Sequence, residues 1–160
     1  MRHPYRVKTL WLAAVLLFPV AGRAAVPVEE ARLAAREVLR QAGITAAFGD
    51  FNASRSLAAQ AAALDPSDPR AYLQKAVAAN RLGSYAAAAS DASRALALGY
   101  RKTASYTTRA EAFIGLGDFE AALVDAEQAI RASPESAAGY RWRAEARRGL
   151  GEPASAVLED

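Results

Sequence analysis

Hydroxyls and carboxylates are plentiful in this chain, but the groups that would activate them are scarce. Ser105, Thr107 and Thr108 could act as nucleophiles only beside a base, and the single histidine is His3. There is no cysteine, so thiolate chemistry, soft metal ligation and disulfides are excluded. Asp65-Pro66-Ser67-Asp68 places two acids close together. Its order is better explained as a helix stop followed by an N-cap. Gly115-Leu116-Gly117-Asp118 has two glycines but ends a helix rather than following a strand, so it is no phosphate cradle. These residues give no catalytic constellation and call for no cofactor and no metal.

Two other charged patterns are more regular. Lys75, Arg109 and Arg143 recur at one spacing, and Asp91, Asp125 and Glu159 each follow sixteen residues later. Gln41 and Leu57 hold the corresponding places upstream, so charge is present on both members or on neither. This predicts an ion pair joining two helices, structural rather than catalytic. The second pattern is 140–148 (YRWRAEARR), with four arginines, one glutamate and one tryptophan. Arg141, Trp142, Glu145 and Arg148 fall on one helical face. Tryptophan and arginine are the side chains most enriched where proteins grip partners.

These residues must be held by helices, because the chain keeps a 34-residue beat. Gly49, Gly83, Gly117 and Gly151 mark it, as do Tyr72, Tyr106 and Tyr140, and Ala76, Ala110 and Ala144. Phe51, Tyr85 and Phe119 follow the first three of these glycines by two residues. Each unit reads as helix, turn, helix: helices near 70–82 and 85–98 in one, and 104–116 and 119–132 in the next. Ala76 with Ala88, and Ala110 with Ala122, are the expected close approaches within units. The recurring tyrosines are expected to fill gaps between helices. A fixed period of this length marks a repeat array whose units bury their apolar faces on one another.

In these residues the chain resembles the tetratricopeptide repeat family over about 35–160. The unit 103–136 is the nearest match, through Tyr106, Ala110, Phe113, Gly117, Asp118, Phe119, Ala122, Ala129 and Pro134. In the unit before it, Gly99-Tyr100 replaces the usual acidic-proline ending. The opening helix, 27–47, is long and atypical, and the final unit stops at Asp160. The resemblance implies an all-α solenoid of about eight helices in a short right-handed superhelix, with units near 35–68, 69–102, 103–136 and a partial 137–160.

It also implies a concave groove lined by the first helix of each unit. Carried over by position, that groove holds Arg70, Leu73, Gln74, Val77, Asn80 and Arg81 from one helix. Thr107, Thr108, Glu111 and Ile114 come from the next, and Arg141, Trp142, Glu145 and Arg148 from the last. A protein or peptide partner is the expected ligand. The family's clamp for a terminal carboxylate needs lysine and asparagine at places held here by Leu73, Val77, Thr107 and Glu111, so that mode is not expected. The unfinished last unit is expected to mean either self-association as a structural repeat protein or the N-terminal regulatory part of a longer secreted protein.

The first 24 residues are expected to leave the protein. Arg2, Arg6 and Lys8 precede an apolar run, Leu10 to Gly22, and small residues follow near Ala24. That is the layout of a secretory signal, and 13 residues are short of the roughly 20 a membrane span needs. The expected location is periplasmic or secreted, with an uncleaved inner-membrane anchor as the alternative. Over the whole chain 20 Lys and Arg oppose 17 Asp and Glu. Four of those positives and no acid lie in the leader, so the remainder carries 16 against 17, a net charge of −1. No nucleic-acid footprint survives this count.

Overall fold

The computed structural model describes residues 27–152, which form seven helices and, among the described residues, no strand. They are α1 (Val28–Ala47), α2 (Phe51–Leu64), α3 (Pro69–Arg81), α4 (Tyr85–Ala97), α5 (Thr103–Leu116), α6 (Phe119–Ala132) and α7 (Ala137–Gly149). Each packs on its neighbours in the chain. In addition α1, α3, α5 and α7 touch in succession, so the first helices of the units form one continuous layer. This is the all-α solenoid expected from the period. The leader, Glu159 and the eighth helix expected after Pro153 lie outside the described residues.

Local chemistry sets the helix ends. Gly117 closes α5 at φ +79°, a left-handed conformation that costs glycine little. The Asp118 N–H then donates to the Phe113 carbonyl at 2.9 Å, satisfying a carbonyl the helix would leave open. The Asp118 carboxylate in turn accepts from the Ala121 N–H and opens α6. Asp50 does the same for α2 through Ala53. At the end of α4, where the acidic-proline stop is absent, Gly99 takes φ +87° and the Tyr100 N–H donates to the Ala95 carbonyl at 3.1 Å. A glycine turn thus replaces the proline stop.

The core is built almost wholly of alanine. Ala76, Ala88, Ala110 and Ala122 are completely buried, as are Ala42, Ala58, Ala92, Ala126 and Ala129. Ala88 clusters with Ala79, Ala89 and Ala112, so the close approach extends from one unit into the next. The larger side chains stand at the margins: Tyr72, Tyr106 and Tyr140 are half-buried and lie at the edge of the core rather than within it. Tyr72 has Lys75 and Arg94 each 5.8 Å from its ring centre.

Packing between units follows its own small-residue rule. Ala71 and Ala78 in α3, Ser105 and Ala112 in α5, and Gly139 and Ala146 in α7 occupy equivalent places, and all are buried. A Cβ on Gly139 would come within 2.8 Å of Ile130. In α1 those places hold Glu37 and Ile44, both exposed. Glu37 accepts from Arg40 and Gln41, and the Arg40 hydrogen bonds hold its carboxyl down to about 2. The opening helix is atypical because it wears a polar, bulky face where the later helices need a smooth one.

A second lock pairs a glycine with an aromatic ring 30 residues earlier. Gly115 faces Tyr85, and Gly149 faces Phe119. A Cβ on Gly115 would lie 2.4 Å from the Tyr85 Cγ. That carbon sits at the root of the side chain, so the ring cannot swing clear without changing rotamer. Gly115→Ala is therefore expected to destabilise the fold by about 1–3 kcal/mol despite alanine's better helix propensity. Urea unfolding checks it, and Gly43→Ala is the control, since nothing lies within 4 Å of a Cβ there.

Candidate functional site

The layer of first helices carries the groove positions, and many of their polar groups are already engaged. Arg70 grips its own helix cap: its Nη2 lies 2.7 Å from Asp68, whose carboxylate also accepts from the Arg70 N–H. These hydrogen bonds hold the Asp68 carboxyl below the usual carboxylate range and push Arg70 up. A depressed folded-state value means the contribution is present above the ordinary carboxylate pKa of about 3.9 and is lost as pH falls through the lower one.

Gln74 points the other way along the stack. Its amide donates to Ser54 Oγ at 3.1 Å and to the Ala42 carbonyl at 3.4 Å, tying α3 to α2 and α1. Asn80 is only 5 % exposed. Its Nδ2 donates to the Thr108 carbonyl at 2.8 Å and to Glu111 at 3.3 Å, bridging α3 to α5. Glu111 is also 3.9 Å from Arg81. Thr107 spends its hydroxyl on the Thr103 carbonyl of its own helix. Thus Asn80, Arg81 and Glu111 come together across two units, Gln74 is tied to the unit before, and Arg70 and Thr107 are occupied locally.

On α7 the expected cluster keeps one face. The Arg141 guanidinium lies 4.2 Å from the Trp142 ring centre, a close cation–π stack. Glu145 accepts a hydrogen bond from Arg148 one turn away. Arg143 stacks on Tyr140 at 5.1 Å. Arg141 is exposed and Trp142 half-buried, so the stack presents both a flat apolar surface and a charge. Leu73, Val77 and Ile114 add half-buried apolar surface along the layer.

The sixteen-residue charge pattern resolves into interhelical ion pairs. Lys75 Nζ lies 2.9 Å from Asp91. Arg109 reaches both oxygens of Asp125, Nε at 2.6 Å and Nη2 at 2.7 Å, and its Nη1 donates to Ser93 at 3.0 Å. The Asp125 hydrogen bonds push the Arg109 guanidinium above its ordinary value. The Ser93 contact was not legible in the spacing, because its counterpart in the preceding unit is Ala59. In the third pair, Arg143 with Glu159, the acid lies outside the described residues. Among the described residues no group of His, Asp or Glu could hold a metal, and no helix is long and apolar enough to cross a membrane.

Comparison with known proteins agrees with the geometry. Residues 103–136 match the family model described as tetratricopeptide repeat. None of the curated proteins matches the chain. Among solved structures, a thermophilic tetratricopeptide protein of Thermus thermophilus is similar at 25 % identity and TM-score 0.69, over 78 % of this chain and 71 % of that one. The first such domain of Spaghetti (RPAP3), bound to the HSP90 peptide SRMEEVD, is similar at 23 % identity and TM-score 0.71, over 74 % and 94 %. The second domain of human RPAP3, in complex with the HSP70 peptide SGPTIEEVD, is similar at 15 % identity and TM-score 0.68, over 75 % and 98 %.

The ion pairs make a graded prediction. Arg109→Ala strands a carboxylate whose side chain is 2 % exposed, a loss of about 3–5 kcal/mol. Lys75→Ala leaves Asp91 nearer water and is expected to cost less. Thermal unfolding of the two single variants tests the order, and a double-mutant cycle on Arg109 and Asp125 measures their coupling.

Proposed function

We propose that this tetratricopeptide-repeat solenoid is a non-catalytic interaction module of the cell envelope, holding a peptide or partner protein along its layer of first helices. The observation that carries the reading is the α7 surface. There Arg141 stacks on Trp142 at 4.2 Å beside the Glu145–Arg148 pair, on a helix that adjoins α5 and its Thr107 and Glu111. Solved domains of the same fold hold short acidic peptides, which supports a peptide or protein as ligand.

The ligand differs from a free carboxyl terminus gripped by lysine and asparagine. Leu73, Val77, Thr107 and Glu111 occupy the clamp places, and Glu111 is already shared by Asn80 and Arg81. The Arg141–Trp142 stack suits a segment with an acidic and an aromatic or apolar residue close together. Arg148 supplies exposed charge beside it and Arg81 adds charge further along the layer, each in a pair a ligand can exchange at little cost.

Export rests on the leader: a basic start, a 13-residue apolar run and small residues near Ala24. A partner in the periplasm or outside the cell follows from it. Mass analysis of the purified protein from an envelope fraction is expected to find a new N terminus near Ala25. An intact N terminus in the membrane fraction would instead indicate an uncleaved anchor.

Capture from envelope extract tests the groove. The protein is expected to retain a partner that an Arg141/Trp142/Arg148 triple-alanine variant of matched helicity loses. Retention by both would move the site away from α7. Recovery of the chain alone would favour a self-associating structural role.

A further inference from the structure

The face opposite the groove holds a feature that the repeat pattern does not require. A cleft of about 460 Å³ opens between α4 and α6 at the junction of the units 69–102 and 103–136. Tyr106 and Arg109 reach it from α5, on the other side of that helix from Thr107, Thr108 and Glu111. Leu96 and Val124 line it with apolar surface, and Val124 is 57 % exposed. Arg101 stands in its wall, and no carboxylate pairs with Arg101 among the described residues.

The preceding junction shows why the space exists. Arg94 lies over the Tyr72 ring there, beside the Lys75–Asp91 pair, and Ser67 bonds back to Asp65. One period later those places hold Gln128, Tyr106, the Arg109–Asp125 pair and Arg101. A short neutral amide thus replaces the guanidinium that covers the tyrosine. A free guanidinium replaces a hydroxyl already in use.

The charge of the cleft decides what it can take. Both Asp125 oxygens are held by Arg109, so no free carboxylate faces an incoming cation. Two guanidiniums against one carboxylate leave the lining net positive. Tyr106 and Gln128 add a hydroxyl and an amide as further donors. We propose that this cleft on the outer face receives an acidic side chain, flanked by an apolar residue, from a segment of a partner protein. Arg101 pairs with the acid, and Val124 and Leu96 cover the neighbour. This second surface stands independently of the groove reading.

The test is chemical-shift mapping on the ¹⁵N-labelled protein with an acetylated and amidated peptide alternating glutamate and leucine. A peptide alternating lysine and leucine is the charge control. Saturable shifts are expected at Ser93, Tyr106, Val124 and Gln128 with the acidic peptide only. Replacing Gln128→Arg and Arg101→Ser together rebuilds the preceding junction, and is expected to weaken binding by at least about tenfold at unchanged helicity. Equal binding of the lysine peptide, shifts confined to Thr107, Glu111 and Trp142, or undiminished binding by the double variant would each overturn the proposal. So would the absence of saturable shifts up to the solubility of the peptide.

Discussion

Close approach of helices through alanine is the constraint on which everything else depends. An alanine methyl buries little area, so each contact contributes modestly. The gain lies in distance: backbones that meet over Ala76, Ala88, Ala110 and Ala122 bring many other atoms into van der Waals range. The same economy of size recurs between units, at Ala71 and Ala78, Ser105 and Ala112, and Gly139 and Ala146. A core of this kind has little tolerance for growth, because a larger side chain at any of these places would part a pair of helices and shift every unit beyond it.

With the interior so small, long side chains must work at its edges. Arg109 illustrates this. Its guanidinium lies over the Phe113 ring, closes on Asp125 within the unit, and sends its third nitrogen across to Ser93 in the unit before. One residue therefore fixes both the angle within a unit and the register between units. Gln74 and Asn80 do the same work on the other side of the stack, each spanning neighbouring units through hydrogen bonds to backbone and side chain. Such paired groups hold a geometry that apolar packing of near-identical alanines would leave less specified.

The period made the helices legible to within about one residue, because glycine turns and apolar stripes repeat with them. The ion pairs were legible for the same reason: charge on both members or neither survives comparison of units. Contacts between units were harder to read. Gly115 and Gly149 look like ordinary helix residues until Tyr85 and Phe119 are seen against them, since the ring and the glycine are 30 residues apart and not in the same unit. The occupancy of the groove was also hidden. The family resemblance placed Arg70, Gln74 and Asn80 in the groove, but in the folded chain Asp68, Ser54 and the Thr108 carbonyl already hold them.

That occupancy divides the groove into two kinds of residue. Gln74 and Asn80 are tied into the stack, and withdrawing either gives up the hydrogen bonds that join one unit to the next, so a ligand cannot recruit them cheaply. Arg70 belongs with them, because releasing it would strand the buried Asp68 carboxylate. Arg81 and Arg148 sit in more exposed pairs of small net worth, which a ligand carboxylate can replace one for one. Arg141 differs from both, since its charge is balanced by a ring rather than an acid, and a carboxylate can approach without displacing anything. On the proposed reading, discrimination between partners rests on α7, with Arg81 adding charge along the way. The scaffold that fixes these positions is common to the fold, so what distinguishes this protein lies in the few side chains its repeats do not share.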